Sequence, residues 1–434
     1  MNFSFRTRPA GSPRLGMLVL RLFRITVLSA IAAVQLIAVA LTTRRPARAD
    51  RLAIVLVRLV ERLGGAFIKA GQLAATRVDL IGPAAARALS RLHDEVSPMT
   101  ARQAAKMIRR ALRPAAAAAV GRLADRPVAS GSVASVYRVE LGDRVVALKI
   151  RRPKVGAAIT ADMAIMRGLA AVATRLPGLR QVPLAEIMEQ VGRCLINQLD
   201  FAAEARSLRR MRAHLAEFPD VVVPAVVPEL CGDGVIAMEF VEGLRHASIH
   251  DLPGPLREAE VAVLVRAVYR LVFIAGFVHV DLHQGNTYFM PDGTVVLLDA
   301  GFAFQLSATA RHSYTAFFGG MIQGDGAACA DILRSTVRSV AAEADIEGFR
   351  RDVAELVVRN VGTAVDDFDL PGFCFELFDL QRRYGLYAEP EFIFPMLSLL
   401  SLDGLVKEHH PRMDFQLEAA PYVMQSLLSE PEQR

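Results

Sequence analysis

Three oxygen-bearing side chains pose the first question. In FVHVDLHQGNTYFMPDGTVVLLDAGF, residues 277–302, Asp281 is followed by Asn286 five positions on and by Asp299 eighteen positions on. Two carboxylates and an amide are hard oxygen donors of the kind magnesium prefers, and a carboxylate in a loop can also take or orient a hydroxyl proton. Pro291-Asp292-Gly293 reads as a turn between two short strands. That reading puts Asp281 and Asn286 in a loop ahead of the first strand and Asp299 just beyond the second. Phosphoryl transfer is the chemistry such a set serves. It asks little covalent help of a protein, but needs a triphosphate held by a backbone loop and a lysine, magnesium held by oxygens, and a carboxylate near the attacking group. The plain alternative is a polar loop beside a hairpin.

The remaining parts have candidates upstream. Ala129-Ser130-Gly131-Ser132-Val133-Ala134-Ser135-Val136-Tyr137 is a hairpin of small residues that can lie close on a phosphate, with Ala129, Gly131, Ser132 and Val136 as the contact candidates. Lys149 ends Val146-Ala147-Leu148-Lys149, and strand periodicity puts Val145, Ala147 and Lys149 on one face. Read as an inward face, it gives the lysine need of an anion; an edge-strand lysine is the bland reading. Glu204, in QLDFAAEARSL on a helix, can pair with Lys149 or stand as a solvated charge beside Arg206, Arg209 and Arg210. Glu239 to Gly243, EFVEG, closes the strand GVIAM where backbone groups could receive an adenine. His279 and His283 stand four apart, but Gly285 and the expected loop argue against a helical zinc pair.

Four segments carry these residues. Residues 1–50 form a basic arm with an apolar helix, a possible membrane anchor. Residues 51–120 form a helical extension, broken at Gly64-Gly65 and Gly82-Pro83, with a helix over roughly 100–113 and a low-complexity run, PAAAAAVG, as its boundary. Residues 121–243 form a sheet-rich lobe: two antiparallel strands over 127–151 turning at Gly142-Asp143, helices over 155–175 and 184–214, and more strands over 221–243. Residues 244–434 are mainly helical, apart from the strand pair around Pro291-Asp292-Gly293. No fixed-period repeat occurs.

Composition, at 53% hydrophobic and 22% charged residues, describes a folded chain with large cores. The net charge of +6 resembles a nucleic-acid signal until it is located: residues 1–51 hold nine arginines and one acid, +8, leaving −2 for the rest. A basic arm beside an apolar stretch suits an anionic membrane surface. The absence of Trp and of an interleaved basic and aromatic stripe argues against nucleic acid. The nineteen uncharged residues between Arg24 and Arg44 would just cross a bilayer as a helix, could lie at its surface or pack on the protein, and contain Ala38-Val39-Ala40 as a cleavage-like site. Four widely spaced cysteines, at 194, 231, 329 and 374, fit no metal site or disulfide framework and read as buried thiols in a reducing compartment.

On these residues the sequence resembles the UbiB-type (AarF-type) atypical kinases, a family linked to isoprenoid quinone metabolism. The resemblance covers about residues 55–425. Lys69-Ala70-Gly71-Gln72 looks like its K-x-G-Q signature, followed by Arg77 and Asp79-Leu80; GFVHVDLHQGN looks like GFFHADPHPGN, and LDAGF like LDFG. LSLLSLDGLVKEHHPRMDF is similar to its closing helical signature. The resemblance implies an α+β, two-lobed protein-kinase-like fold with an N-terminal helical extension. It implies ATP and Mg²⁺ as cofactors, Lys149 and Glu204 positioning the nucleotide, Asn286 and Asp299 holding the metal, and Asp281 as the catalytic carboxylate. It further implies a regulatory set of Lys69, Gln72 and Asp200, in which the K-x-G-Q helix folds over the active site with its lysine, Lys69, facing an E-x-D acid cluster. Here Gln198-Leu199-Asp200 stands in that place, so only Asp200 remains of the two acids. Ser130 and Gly131 replace alanines, Ala134-Ser135 replaces Gly-Gln, Ala300 replaces a phenylalanine, and Leu282 and Gln284 replace two prolines. With no proline between Pro291 and Pro371, the A-P-E end of a conventional kinase activation segment is missing.

The expectation is therefore an ATP-binding atypical kinase or ATPase, acting with Mg²⁺ on a lipid or quinone-precursor small molecule. Its place is the cytoplasmic face of a membrane, peripheral or by a single N-terminal span, with a quinone-pathway protein complex as partner and no nucleic acid. The alternative is a catalytically weak pseudokinase that scaffolds such a complex.

Overall fold

The computed structural model describes residues 15–42, 45–64, 67–68, 71, 98–173, 192, 195–244, 248–282, 285–340, 344–360, 369–388 and 390–429. The chain divides into two compact units, Met1–Ala205 with Val226–Phe240, and Arg206–Ala225 with Val241–Arg434.

The first unit opens with two helices, α1 (Leu15–Thr42) and α2 (Arg45–Leu63), then α3 (Ala101–Ala111) and α4 (Pro114–Val120). Thr100 caps α3 in a capping box: its hydroxyl accepts the Gln103 N–H, and the Gln103 side chain accepts the Thr100 N–H. The alanine-rich run expected only as a boundary is the helix α4. Proline at its first position and Gly121 beyond its end, at φ 62°, supply the usual start and stop.

Strand alternation then builds β1 (Ala129–Ser130), β2 (Ala134–Leu141) and β3 (Arg144–Arg151). Gly142, at φ 63°, and Asp143 make the two-residue turn, and Leu141 pairs with Arg144 across it. With β5 (Val235–Glu239), these strands form an antiparallel sheet in the order β1-β2-β3-β5. Tyr137, Val146, Leu148 and Ile150 point to the back of the sheet and pack with Met99, Ala104, Ile108, Leu112, Val120 and Leu123. The hydrophobic layer is thus continuous across residue 120. The Tyr137 hydroxyl, fully buried, donates to the Met99 carbonyl at 2.6 Å. Val145, Ala147 and Lys149 share the opposite face, which is half-buried and not the core face. A helix, α5 (Val155–Ala173), follows β3. The helical pattern expected over 184–214 breaks at a turn over residues 198–199, and α6 (Phe201–His214) starts afresh behind Asp200.

The second unit holds β4 (Val221–Val222), α7 (Gly254–Tyr269) and a π-helical turn, Arg270–Ala275, closed by Gly276 at φ 63°. Short strands β6 (Phe277–His279), β7 (Thr287–Phe289), β8 (Val295–Leu297) and β9 (Ala303–Gln305) follow. β7 and β8 are the expected pair around Pro291-Asp292-Gly293, and β4 joins β8 in parallel. The pairing of β6 with β9 was not expected, nor that of β10 (Val337–Val340) with β11 (Leu386–Ala388). Helices α8 (Ala308–Gln323), α9 (Gly326–Ser335), α10 (Ile346–Arg359), α11 (Leu370–Arg383), α12 (Pro390–His409) and α13 (Phe415–Leu428) complete the unit. An aromatic cluster of Tyr269, Phe273, Tyr314, Phe318 and Phe392 lies at its centre. Cys329 and Cys374 are buried thiols there, and burial pushes the Cys329 pKa up to about 12. Cys231, in the first unit, is half-buried.

Candidate active site

In the first unit the sheet register aligns the candidates. Ala129 pairs with Val136 and Val136 with Lys149, so three predicted nucleotide residues form one row across β1, β2 and β3. Ile236 extends that row, and Ala147 pairs with Met238 one step along. Ile236 and Met238, both buried, make the floor beside the lysine. Strand alternation counted outward from Lys149 would have found them once the pairing was known. Glu239 ends β5, and the Phe240 N–H continues the ladder to the Val145 carbonyl.

Lys149 Nζ lies 2.6 Å from Glu204 Oε1, with side chains 16% and 3% exposed. The lysine also sits 5.4 Å from the Phe201 ring centroid. Glu204 occupies the first turn of α6, where the helix macrodipole favours a carboxylate. Asp200 starts that helix: its Oδ1 accepts the Ala203 N–H at 2.9 Å, and its carbonyl accepts the Glu204 N–H. Asp200 is therefore the N-cap that sets where Glu204 falls. Lys69 and Gln72, the other regulatory candidates, lie outside the described residues.

The turn between β1 and β2 is fastened by a residue that sequence reasoning passed over. Arg152 Nε donates to the Gly131 carbonyl at 2.7 Å, Nη2 to Ser130 Oγ at 2.8 Å, and its backbone N–H to the Val133 carbonyl at 2.8 Å. Ser130 and Ser135 share a hydroxyl hydrogen bond at 3.0 Å, and Gly131 N–H donates to the Ala134 carbonyl. Ser132 and Val133 stand at the tip, and Val133 packs against a buried cluster that includes Ile159 and Met163 of α5. The conformation that glycines permit elsewhere is held here by a guanidinium.

In the second unit, β6 delivers the chain to Asp281, Asn286 precedes β7, and Asp299 follows β8. The Asn286 amide nitrogen donates to the Asp281 carbonyl at 3.0 Å and approaches its Oδ2 at 3.4 Å. That turns the amide oxygen into the atom Asn286 can offer a cation. Asp299 Oδ1 accepts the Gly301 N–H at 2.6 Å, which fixes the carboxylate's orientation. His279, only 2% exposed, joins the two ends. Its Nδ1 accepts the Asp281 N–H at 3.2 Å, so the proton sits on Nε2, which donates to the Asp299 carbonyl. Committed at both nitrogens, His279 is a packed scaffold residue and no zinc ligand. Ser398 of α12 donates to its carbonyl at 2.8 Å, which ties the closing LSLLS stretch to the loop. Ala300 is buried where the family places phenylalanine. An all-oxygen donor pair, the Asp299 carboxylate and the Asn286 amide, suits Mg²⁺ and does not suit a soft metal.

These features define a protein-kinase-like fold. A solved structure bears this out: the Mycobacterium tuberculosis protein Rv3197, determined as a complex with erythromycin, superposes with a TM-score of 0.52 at 16% identity, covering 87% of this chain and 95% of that one. The model of the ABC1 atypical kinase-like domain matches residues 91–333, and the chain belongs to that family. Curated relatives are named "Probable protein kinase UbiB". One from Actinobacillus pleuropneumoniae serotype 7 is 25% identical over 393 residues, 86% of this chain and 70% of its own length. Another, from Vibrio vulnificus strain YJ016, is 26% identical over 394 residues, 88% of this chain and 71% of its own length.

Proposed function

We propose that this protein binds ATP with Mg²⁺ and cleaves or transfers the γ-phosphate, in support of ubiquinone or other isoprenoid-lipid metabolism at the cytoplasmic face of a membrane. The observation that carries the reading is the Lys149–Glu204 ion pair: a lysine on the third strand, held at 2.6 Å by a buried carboxylate, is the arrangement that presents an amine to α- and β-phosphates. Arg152 holds the phosphate-covering turn, and the Ala129, Val136 and Ala147 face, floored by Met238, receives the base. Asn286 and Asp299 hold the metal. The chemistry a bound Mg²⁺ supplies is neutralisation of charge on the β- and γ-oxygens. Asp281, oriented by Asn286 and His279, accepts the proton of the attacking hydroxyl, from water or from a lipid or quinone-precursor acceptor. Asp200 and the K-x-G-Q signature of Lys69 and Gln72 regulate access, with the Ala203 N–H and the lysine competing for one carboxylate. The quinone assignment rests on the names of the relatives and on the family resemblance.

The test is a thermal-shift titration of the full chain. Mg-ATP raises the midpoint, EDTA abolishes the shift, and Asp299→Asn weakens it at least tenfold in apparent affinity. No Mg-ATP stabilisation, or a wild-type response in Asp299→Asn, refutes the site. A second reading, a scaffold that binds nucleotide without turnover, is favoured by Ala300 in place of phenylalanine and by Gln198 in place of an acid. ATP hydrolysis by wild type and Asp281→Asn, with and without liposomes, separates the two. Loss of hydrolysis by a hundredfold or more in the variant supports catalysis, and equal background rates support the scaffold.

A further inference from the structure

Helix α1 contains a window, Val19–Val39, long and apolar enough to cross a bilayer. Its packing argues for a different placement. Only two residues separate α1 from α2, and at the other end of the pair Arg24 Nη2 donates to the Arg62 carbonyl at 2.7 Å. Helices joined near residues 42 and 45 and touching again at 24 and 62 must run side by side and antiparallel along that length. Ile25 and Ala32 of α1 and Val55 and Leu63 of α2 are buried.

Two consequences follow for a bilayer. Residue 62 lies beside residue 24, so the hairpin cannot carry α1 across alone; if α1 spans, α2 must span back at the same depth. But α2 holds Arg48, Arg51, Arg58, Glu61 and Arg62 among its nineteen residues, and charges at the centre of the hydrocarbon are strongly disfavoured. The start of α1 is also pinned to the folded unit. Arg21 makes a two-pronged bond to Asp162 of α5, Nε to Oδ1 at 2.6 Å and Nη2 to Oδ2 at 2.8 Å, and Asp162 is 1% exposed.

The face of α1 turned away from these contacts is nevertheless apolar. Leu20, Phe23, Val27, Val34, Ile37 and Leu41 recur at three-, four- and seven-residue intervals and are all exposed. Beside them a groove of about 800 Å³, lined by Phe23, Val27 and Leu28, also carries the cations of Arg24 and Arg62 and the acid Glu61 on its lining. An apolar stripe flanked by exposed arginines, including Arg51 and Arg58, complements acyl chains under anionic headgroups.

We infer that the α1–α2 hairpin lies flat in one leaflet of an anionic membrane, its outer α1 stripe immersed at one shallow depth, and does not span. This rests on the membrane placement proposed above and names how it is achieved. Arg21 is bonded to Asp162 of α5, and the buried cluster that includes Ile159 and Met163 of α5 has Val133 packed against it, so the immersed helix is joined through α5 to the β1–β2 turn.

The chain has no tryptophan, so single substitutions report without background. Full-length Leu20→Trp, Val27→Trp, Val34→Trp and Leu41→Trp proteins, with Val358→Trp on α10 as an exposed control, are bound to phosphatidylcholine vesicles with or without phosphatidylglycerol. Quenching by lipids brominated at shallow or deep acyl positions reads the depth. The expected result is flotation that requires phosphatidylglycerol, equal quenching of all four α1 sites by shallow bromines, and none of the control. Arg51→Gln and Arg58→Gln each weaken partitioning by about fivefold. Deep quenching at Val27→Trp and Val34→Trp with shallow quenching at the ends means a span and overturns the inference while leaving membrane association intact. Flotation without quenching, or tryptophans already shielded in vesicle-free protein, means that another surface binds lipid or that a second chain covers the stripe, and also overturns it. No flotation on any vesicle refutes the membrane placement itself.

Discussion

Replacing Lys149 by methionine, Glu204 by leucine, or both, gives a cycle whose magnitudes follow from the geometry. At 2.6 Å and an effective dielectric constant of about 20, the pair attracts by about 6 kcal/mol, and taking both groups out of water offsets most of that. A single substitution removes the attraction but leaves the partner desolvated, at a cost of roughly 3–5 kcal/mol. Lys149 is 16% exposed and can recover some hydration, so about 3 kcal/mol is expected for Glu204→Leu and somewhat more for Lys149→Met, which takes the cation away from a carboxylate only 3% exposed. A unit of this size should lose about 6–12 °C in midpoint for 3 kcal/mol. The double variant places two apolar side chains together and regains most of the loss, giving a coupling energy above about 2 kcal/mol. Calorimetry in the absence of nucleotide measures this, and the same samples with Mg-ATP measure function. All three variants lose the nucleotide-induced shift, including the double variant whose stability has recovered. If the double costs the sum of the singles, the pair is not coupled and the electrostatic account fails. If the double still responds fully to Mg-ATP, the pair is structural and the phosphate assignment fails.

Arg152→Ala removes two charge-assisted hydrogen bonds from the β1–β2 turn. It should cost about 2–4 kcal/mol in denaturant unfolding and weaken Mg-ATP binding at least tenfold, with Arg152→Lys intermediate; unchanged nucleotide affinity would dissociate the turn from phosphate binding. Glu260 of α7 is 1% exposed, neither carboxyl oxygen has a hydrogen-bond partner among the described residues, and burial together with Asp292 raises its pKa from 4.5 to about 7. The folded state therefore holds a proton that the unfolded state releases between those values, so this contribution to stability is complete below about pH 4.5 and lost as pH rises through 7, by about 3 kcal/mol. Glu260→Gln should flatten that dependence and stabilise the protein at pH 8, as urea unfolding at pH 5 and pH 8 would show; an unchanged pH slope would contradict it.

The parts of this fold that rest on local chemistry were legible in sequence, and those that rest on distant partners were not. Gly142-Asp143 fixed the hairpin because a two-residue turn with positive φ leaves few alternatives. The Pro-Asp-Gly turn located β7 and β8 for the same reason. The spacing of Asp281, Asn286 and Asp299 was visible because each follows or precedes a short strand by one or two residues. The alanine run of α4 reads by composition as a boundary, although proline at its first position and glycine after its end are helix signals. Periodicity ran on through Gln198–Asp200 because apolar spacing cannot see a cap; the Asp200 bond to Ala203 N–H is what breaks the helix and sets Glu204 in the first turn. The pairs β6–β9 and β10–β11 consist of strands too short to alternate detectably. Arg21 and Asp162 are separated by 141 positions, and Arg152 reaches back 21 to Gly131. Neither carries a local signature, so both became evident only in three dimensions.

The apolar layer behind the β-sheet governs where this chain can be shortened. Met99, Ile108, Leu112, Val120 and Leu123 cover the side of the sheet that bears Tyr137, Leu148 and Ile150. A fragment opening at Arg122, just ahead of the first strand, would uncover that side and strip the tyrosine hydroxyl of its acceptor. Such a fragment would aggregate on expression, whereas one opening at Pro98 keeps the layer and the cap of α3. The sheet-bearing unit thus inherits its solubility from twenty-odd residues that stand outside the sheet, and any recombination or trimming of this domain has to carry them along.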